Sequence, residues 1–423
     1  MKAKEDVRLS VCIPTYNRAE CIERVLQEEI DFFKDYGIDC YIYDSSTVQD
    51  TEAVVERYIR EGYGNVFYRH VDSSVHSAKK AYSIWREMGE SEYDFVWLIH
   101  DHTVCLNGSA LDFIKGELAK EYDFYIMNLQ CSRNGLTETA DLDEFLLMGA
   151  WPLNSFGASI VNTRTFLRGV DWQLMEDKFL SPRTINHSHI GFYFERAAQI
   201  PGFKACRLEL ERESFIDFLR NEKTSWDGET IRICTECWGS IINMLPEVYH
   251  CKGKALLTQD KWFLSTYKMI FYKRSGQYGL KAFRKYRKWL AQIRPEDYRK
   301  NLLIACLPFA VSKYLYCNKV ISQVQKARAL KASVLIFGAG RHAVECANLL
   351  DNLNLEYDGF LVTNREGNPE TLLDHPVSEA AAYVKDKRCF VFIAILTSGA
   401  LEVGKYLDTL RAGGSQVEWE IFE

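Results

Sequence analysis

Residues 9–18 read LSVCIPTYNR. The first five, Leu9 to Ile13, are an apolar run of strand type, and Pro14 breaks it. Thr15, Tyr16, Asn17 and Arg18 then stand exposed at the head of a helical pattern. A buried strand that stops and feeds a polar turn is how an open α/β sheet presents a ligand, close to backbone N–H groups and a helix N-terminus. The same arrangement recurs downstream. Cys40–Tyr43 runs into Asp44-Ser45-Ser46-Thr47, and Phe95–Ile99 runs into His100-Asp101-His102.

The stretches between them are helical. Ile22, Val25, Leu26, Ile30 and Phe33 recur at helical spacing within Ala19–Tyr36. A second helix runs to about Glu61, with Ser46 or Thr47 as its cap. Val66–His70 is a third strand, Ser77–Met88 a helix and Asp123–Leu129 a further strand. This alternation predicts a mostly parallel sheet with helices on both faces. Residues 149–208 are less regular, with strands at Gly157–Val161 and Ala205–Leu210 and a helix at Phe192–Ala198. The polar loop Ser181–Ser188 carries His187, and His189 lies just beyond it.

The whole chain sets the bounds. Its 423 residues, 47% hydrophobic and 26% charged, are enough for two or three globular domains. A net charge of −6 argues against a general nucleic-acid binder. The charged N-terminus has no signal-peptide core, and no apolar run is long enough to cross a bilayer. Thirteen scattered cysteines suit buried thiols in a reducing cytoplasm. Cys234-Thr-Glu-Cys237 followed by His250-Cys251 has the ligand types of a zinc site, but only one CxxC is present and Gly239–Leu245 reads as a buried helix, so structural cysteines are the preferred reading.

The first half resembles family 2 glycosyltransferases of the GT-A fold. LSVCIPTYNR matches the family's first strand and turn. YDSSTVQDT, Tyr43–Thr51, aligns with its second-strand motif, Ser45 replacing the second aspartate. FVWLIHDHTVCLNGS, Phe95–Ser109, lies where the family places its metal motif. The resemblance implies that Pro14, Thr15, Tyr16, Asn17 and Arg18 bind a nucleotide-sugar donor with Asp44 and Asp101. With Asn107-Gly108-Ser109 setting the register, His100 and His102 take the usual aspartate positions around Asp101. His100, Asp101 and His102 are therefore the candidate ligands for manganese or magnesium, which would stabilise the leaving diphosphate. Histidines that stabilise the leaving group directly, or that merely pack at a strand end, are the alternatives.

Family chemistry is an inverting displacement in which a carboxylate deprotonates the acceptor hydroxyl. The corresponding stretch here, Asn186 to Ile190, has no acidic pair. Imidazole is a sound substitute, so His189, then His187, are the candidate bases, with Asp177 and Glu195 as acidic alternatives. Trp151 and Asn154, with Phe156, are candidates for the acceptor pocket because aromatic faces stack on sugars.

Three segments follow: a GT-A domain over 1–212, a helical region over 213–330 and a small Rossmann-like α/β domain over 331–423. Within the helical region, Lys268–Lys300 interleaves cations with Tyr, Phe and Trp, which suits an anionic membrane surface. In the last domain, Val334–Phe337 runs into Gly338-Ala-Gly340-Arg341-His342, half of a dinucleotide fingerprint. That tail resembles the Rossmann-like domains attached to sugar-modifying acyltransferases. Gly338, Gly340, Arg341 and His342 are thus a candidate second nucleotide site, with docking or dimerisation as the rival role.

The expected protein is a cytoplasmic hexosyltransferase-type glycosyltransferase, peripheral at the inner membrane face. It takes a nucleotide-sugar donor and a glycan or lipid-linked acceptor in surface polysaccharide or glycoconjugate assembly; homo-oligomerisation stays open. The rival is a non-catalytic nucleotide-sugar-binding scaffold on the same fold, and an oxidoreductase built on the C-terminal glycines ranks last.

Overall fold

The computed structural model describes residues 3–101, 105–106, 108–131, 135–211, 215–216, 228–366, 368–385, 387–395 and 397–422. His102 lies outside the described residues. The chain forms two compact units. One gathers the described residues up to 216 with 228–264 and 284–298, and the other gathers 265–283 and the chain from 299 onward. The helical residues of 213–330 are thus distributed between the two.

The first unit alternates β1 (Leu9–Thr15), α1 (Ala19–Asp35), β2 (Ile38–Asp44), α2 (Asp50–Arg60), β3 (Val66–His70), α3 (Ser77–Gly89) and β4 (Phe95–Leu98). It continues with β5 (Cys105–Leu106), α4 (Gly108–Leu118), β6 (Phe124–Cys131), β7 (Gly135–Thr139), α5 (Leu142–Gly149), β8 (Ser159–Asn162), α6 (Trp172–Phe179), α7 (Ser188–Gln199), β9 (Ala205–Glu211) and β10 (Phe215–Ile216). Eight strands make one sheet in the order β3-β2-β1-β4-β8-β6-β9-β7, and β5 and β10 make a separate pair. β1, β2, β3 and β4 are parallel, while β8 and β7 run against their neighbours.

β1 does not end at Pro14 as the sequence suggests; it runs through to Thr15, paired with β2 over its whole length. The reason is alternation. The Cys12 carbonyl accepts from Ile99 N on the β4 side, and the Thr15 carbonyl accepts from Ser45 N on the β2 side. Pro14 therefore points its missing N–H toward β4, whose pairing with β1 stops at Cys12. A proline there costs the ladder nothing.

Odd-numbered β1 residues Leu9, Val11 and Ile13 pack with Ile22, Val25, Leu26 and Ile30 of α1 and with Leu111 and Ile114 of α4. On the other face Ser10 Oγ meets Met88 Sδ of α3 at 3.5 Å. There Trp85 of α3 stacks on Phe192 of α7 at 5.0 Å, and Phe192 stacks on Trp172 at 5.3 Å.

In the second unit β11 (Ser333–Phe337), β12 (Gly359–Val362), β13 (Thr371–Leu372), β14 (His375–Glu379), β15 (Cys389–Ile393) and β16 (Val417–Ile421) lie in the order β13-β14-β12-β11-β15-β16. All pairs are parallel except β13 with β14. Strand order reverses at β11, which makes its carboxyl end the topological switch point of a Rossmann-like sheet.

Lys268–Lys300 has a different character from the one the composition suggests. In the helix Leu280–Ile293, Phe283, Tyr286, Leu290 and Ile293 are buried, and Trp289 packs against Gly239. Lys281, Arg284, Lys285, Arg287 and Lys288 are exposed. A membrane surface would meet the cations and not the aromatics. Among the described residues no helix is long and apolar enough to cross a membrane.

Candidate functional site

The carboxyl ends of β1, β2 and β4 converge because the three strands are adjacent and parallel. Asp101, buried just past β4, is the hinge of this cluster. Its Oδ2 accepts from Thr15 Oγ1 at 2.8 Å, and its Oδ1 accepts from Arg18 Nη1 at 3.1 Å. Asn17 adopts a left-handed conformation with φ 52°, which a short polar side chain tolerates. Its N–H donates to Ser46 Oγ at 2.7 Å, and its Oδ1 accepts from Thr47 N at 3.0 Å. The β1 and β2 turns are thereby locked together. Tyr16 projects from this turn and is half exposed, at 50%.

Ser46 and Thr47 are used here and not as helix caps; α2 begins at Asp50 behind Gln49. Asp44, 2% exposed, closes an Asx turn: Oδ1 accepts from Ser46 N at 2.8 Å. Its Oδ2 accepts from Tyr68 OH at 3.0 Å.

One residue of this cluster escaped the sequence reading. Lys80 of α3 is only 3% exposed. Its ammonium donates to the Thr15 carbonyl at 2.7 Å and to Ser45 Oγ. Burial pulls its pKa down to about 8, against the opposing pull of Asp44 and Asp101. The available signal was position: Lys80 sits four residues before buried Ile84, on the face of α3 that points inward.

A second cluster adjoins the first through His100. His100 Nε2 accepts from Phe156 N at 3.3 Å, and the Phe156 ring lies 5.4 Å from His100 and 4.8 Å from His189. His189 is in the first turn of α7 and buried, at 4%. It bonds to the backbone at Leu153 and Asn154, while its Nε2 has no partner among the described residues. Burial, with His187 and His100 adding to it, lowers its pKa to about 3. The ring is neutral at physiological pH and presents a bare nitrogen lone pair.

His187 is fully buried and lowered to about 4 by desolvation. Its Nδ1 lies 2.6 Å from the Asn154 side-chain amide and its Nε2 lies 3.1 Å from the Ile233 carbonyl. A neutral ring donates once, here to Ile233. The other ring nitrogen faces Asn154 Oδ1, and exchanging that amide's oxygen and nitrogen would let Nδ2, without a partner among the described residues, donate to it. Trp151 belongs to the same cluster, edge-on to Trp238 at 5.1 Å and 6.4 Å from His187. The acidic alternatives stand apart: Asp177 is on the exposed side of α6 and bonds Gln173, and Glu195 pairs with Lys178 at 2.7 Å.

Of the candidate metal ligands, Asp101 is committed to Thr15 and Arg18, and His100 Nε2 to Phe156 N. Among the described residues no group of three His, Cys, Asp or Glu could hold a metal ion. The described residues do not by themselves make a cation site.

In the second unit Gly338 follows β11 with φ 125°, and a Cβ there would meet the Ala394 carbonyl oxygen at 2.9 Å. Gly340 caps the helix Arg341–Asn352, with open space where its Cβ would be. His342 Nδ1 lies 3.5 Å from Glu345 Oε2. Arg341 is the first residue of that helix.

Residues 10–172 match the model of glycosyl transferase family 2. Among solved structures, the chain is similar to S. aureus TarS 1–349 in complex with UDP-GlcNAc. Identity is 14%, TM-score 0.41, with 70% of this chain and 82% of that chain covered. It is also similar to the mannosyltransferase PcManGT from Pyrobaculum calidifontis in complex with GDP-Man and Mn2+. There identity is 14% and TM-score 0.36, over 74% and 88% of the two chains. A third is glucosyl-3-phosphoglycerate synthase from Mycobacterium tuberculosis in complex with Mn2+, UDP and glucosyl-3-phosphoglycerate, at 13% identity and TM-score 0.35, over 58% and 82%. No curated protein matches the chain.

Proposed function

We propose that this chain, which carries a family 2 glycosyltransferase domain of GT-A fold at residues 10–172, moves a sugar from a nucleotide-sugar donor to an acceptor hydroxyl by inverting displacement. The observation that carries the reading is the interlocked end of β1, β2 and β4: Thr15 and Arg18 on Asp101, and Asn17 on Ser46 and Thr47. Three loops held in register by polar contacts, the Thr15–Asp101 bond buried beneath them, form a preorganised rim at the carboxyl edge of a parallel sheet, where nucleotides bind. In this reading Tyr16 and Asp44 face the base and ribose, and Arg18 faces the diphosphate.

The acceptor lies on the other side of His100, against Trp151, Asn154 and Phe156. His189 Nε2 is the atom that accepts the hydroxyl proton. Its resting basicity is low because the ring is buried. The negative charge of a bound diphosphate would raise it, since a nearby anion favours imidazolium. A divalent cation, if bound, would act as a Lewis acid on the diphosphate oxygens. Arg18 and Lys80 are the chain's own cations at that end.

The acceptor class (a glycan or lipid-linked saccharide), a hexosyl donor and a setting in surface polysaccharide or glycoconjugate assembly rest on the motif resemblance. Contact with an anionic membrane would fall to the exposed cations of Leu280–Ile293. Gly338–His342 would serve as a second nucleotide site.

The test is titration calorimetry against a panel of UDP- and GDP-sugars, then donor hydrolysis with and without manganese and magnesium. Binding of at least one donor with turnover supports transfer. Failure of every donor to bind overturns it. Binding without turnover under any condition favours the second reading, a donor-binding scaffold, which the low basicity of His189 also favours.

A further inference from the structure

The buried lysine in the first cluster has no part in the mechanism above beyond its charge, yet its placement is costly. An ammonium out of water must be compensated by hydrogen bonds and opposite charge. Lys80 has both. Thr15 and Ser45 accept two of its three protons. Asp44, from the end of β2, and Asp101, from beyond β4, are the carboxylates that face it.

Among the described residues, the other charged or titratable groups on the packed elements are paired, neutral or turned to solvent; His76 at the head of α3 holds Ala78 N with Nδ1, and burial lowers its pKa. On α3 itself Lys79 is exposed, Arg86 pairs with Glu176, and Glu87 pairs with Arg69. On the turn against the far end of the helix Arg164 pairs with Asp94. His189 of α7 is neutral. β1 offers a carbonyl.

The charges of Asp44, Asp101, Arg18 and Lys80 therefore cancel, two against two. Without the ammonium the cluster carries one net negative charge where a doubly negative diphosphate must settle. The bond to the Thr15 carbonyl also fixes the residue whose hydroxyl holds Asp101.

We propose that Lys80 is the positioning cation of the donor site: it ties the ends of β1 and β2 together, and its protonated form is required for a nucleoside diphosphate-sugar to bind. This rests on the donor-binding reading above. Lys80 acts through Thr15, Ser45 and the charge balance and not by touching the sugar.

The sign of the pH effect separates this role from a structural one. Because burial depresses the folded pKa to about 8, the unfolded chain holds more protons between there and 10.5. Stability then rises with pH across that window. Donor affinity moves the opposite way, falling as Lys80 loses its proton.

The experiment is calorimetric titration of UDP-GlcNAc and GDP-mannose from pH 6.5 to 9.5 into the wild type, Lys80→Arg and Lys80→Met, with thermal melting at each pH. The wild type should hold its affinity to about pH 7.5 and lose roughly tenfold by pH 9, one unit above the midpoint. Lys80→Arg should stay level through that range. Lys80→Met should bind about tenfold or more weakly at neutral pH, with no loss near pH 8. Titration of the nucleobase is common to all three proteins and cancels.

A wild-type profile that is level from pH 7 to 9, or a folded Lys80→Met that binds like the wild type, overturns the role of Lys80 and leaves donor binding standing. If neither nucleotide sugar binds the wild type at any pH, and the wider donor panel fails as well, the proposal falls together with the functional reading. The wild-type profile needs no variant, so misfolding of Lys80→Met would not shelter the idea.

Discussion

The chain contains two places where parallel strands end at a reversal or convergence of the sheet, and they are built differently. At the ends of β1, β2 and β4, Asp44, Asp101 and Lys80 are buried, and Arg18 closes on Asp101. At the end of β11, two glycines lead into a helix whose first turn pairs His342 with Glu345. Topology alone favours a ligand at both. Buried charge is expensive, and a chain keeps it where it does something. The first place is built from buried charges that compensate one another. The second is equipped with room.

Arg18→Ala removes the partly exposed cation of the first place. It leaves Asp101 without its guanidinium partner and gives the first cluster a net negative charge. Donor affinity should fall about a hundredfold or more, roughly 3 kcal/mol, because the diphosphate loses a facing cation and Asp101 loses its partly exposed partner together. Calorimetry at neutral pH measures it. An affinity within threefold of the wild type would mean that the charge at this end is scaffolding.

Gly338→Val probes the other place. At φ 125° a β-branched residue is strained, and its Cβ would strike the Ala394 carbonyl and Ile395. We expect the second unit to lose about 2–3 kcal/mol, read as an earlier denaturant transition. The result should be the same whether or not nucleotide is present, because the glycine is required by the backbone.

The buried histidines make the first unit sensitive to acid. His187 and His189 titrate near 4 and 3 when folded, below their ordinary value. From pH 6.5 down toward 4 the unfolded chain therefore takes up protons that the folded chain refuses, and stability is lost as pH falls. His189→Gln should recover about 3 kcal/mol of that loss by pH 4, measured as the pH dependence of the denaturant midpoint. A midpoint with the same acid slope in variant and wild type would show that His189 is more open to water than its burial implies.

Much of the first place was legible in the sequence. Leu9–Ile13, interrupted only by Ser10, and Phe95–Ile99 are apolar runs, and the turns after them carry residues with one dominant conformational use. Asn17, for example, takes the left-handed turn. What was not legible depended on neighbours distant in the chain. A lysine in a helix reads as surface, and only packing of α3 on β1 turns Lys80 inward. His187 and His189 sit in a polar stretch that reads as a loop, but Ile233 and Trp238 bury it. β7 is an exposed edge strand, with Leu136 40% exposed, and gives no alternating signal. Pro14 misled for a related reason: whether a proline ends a strand depends on which neighbour its nitrogen faces.

Whether the second place is a site turns on Gly340. Gly340 has an ordinary φ of −101°, and a Cβ built there meets nothing within 4 Å. Gly340→Ala should therefore change stability by less than about 0.5 kcal/mol. If the turn approaches a phosphate closely, as the G-x-G pattern implies, the added methyl occupies the space the ligand needs. Nucleotide affinity of the second unit would then drop while its melting temperature stays put, which separates this variant from Gly338→Val, where the fold itself gives way. Equal nucleotide binding by Gly340→Ala and the wild type would leave the second place as a Rossmann-like sheet without the phosphate contact. The contrast with the first would then be one of site against scaffold.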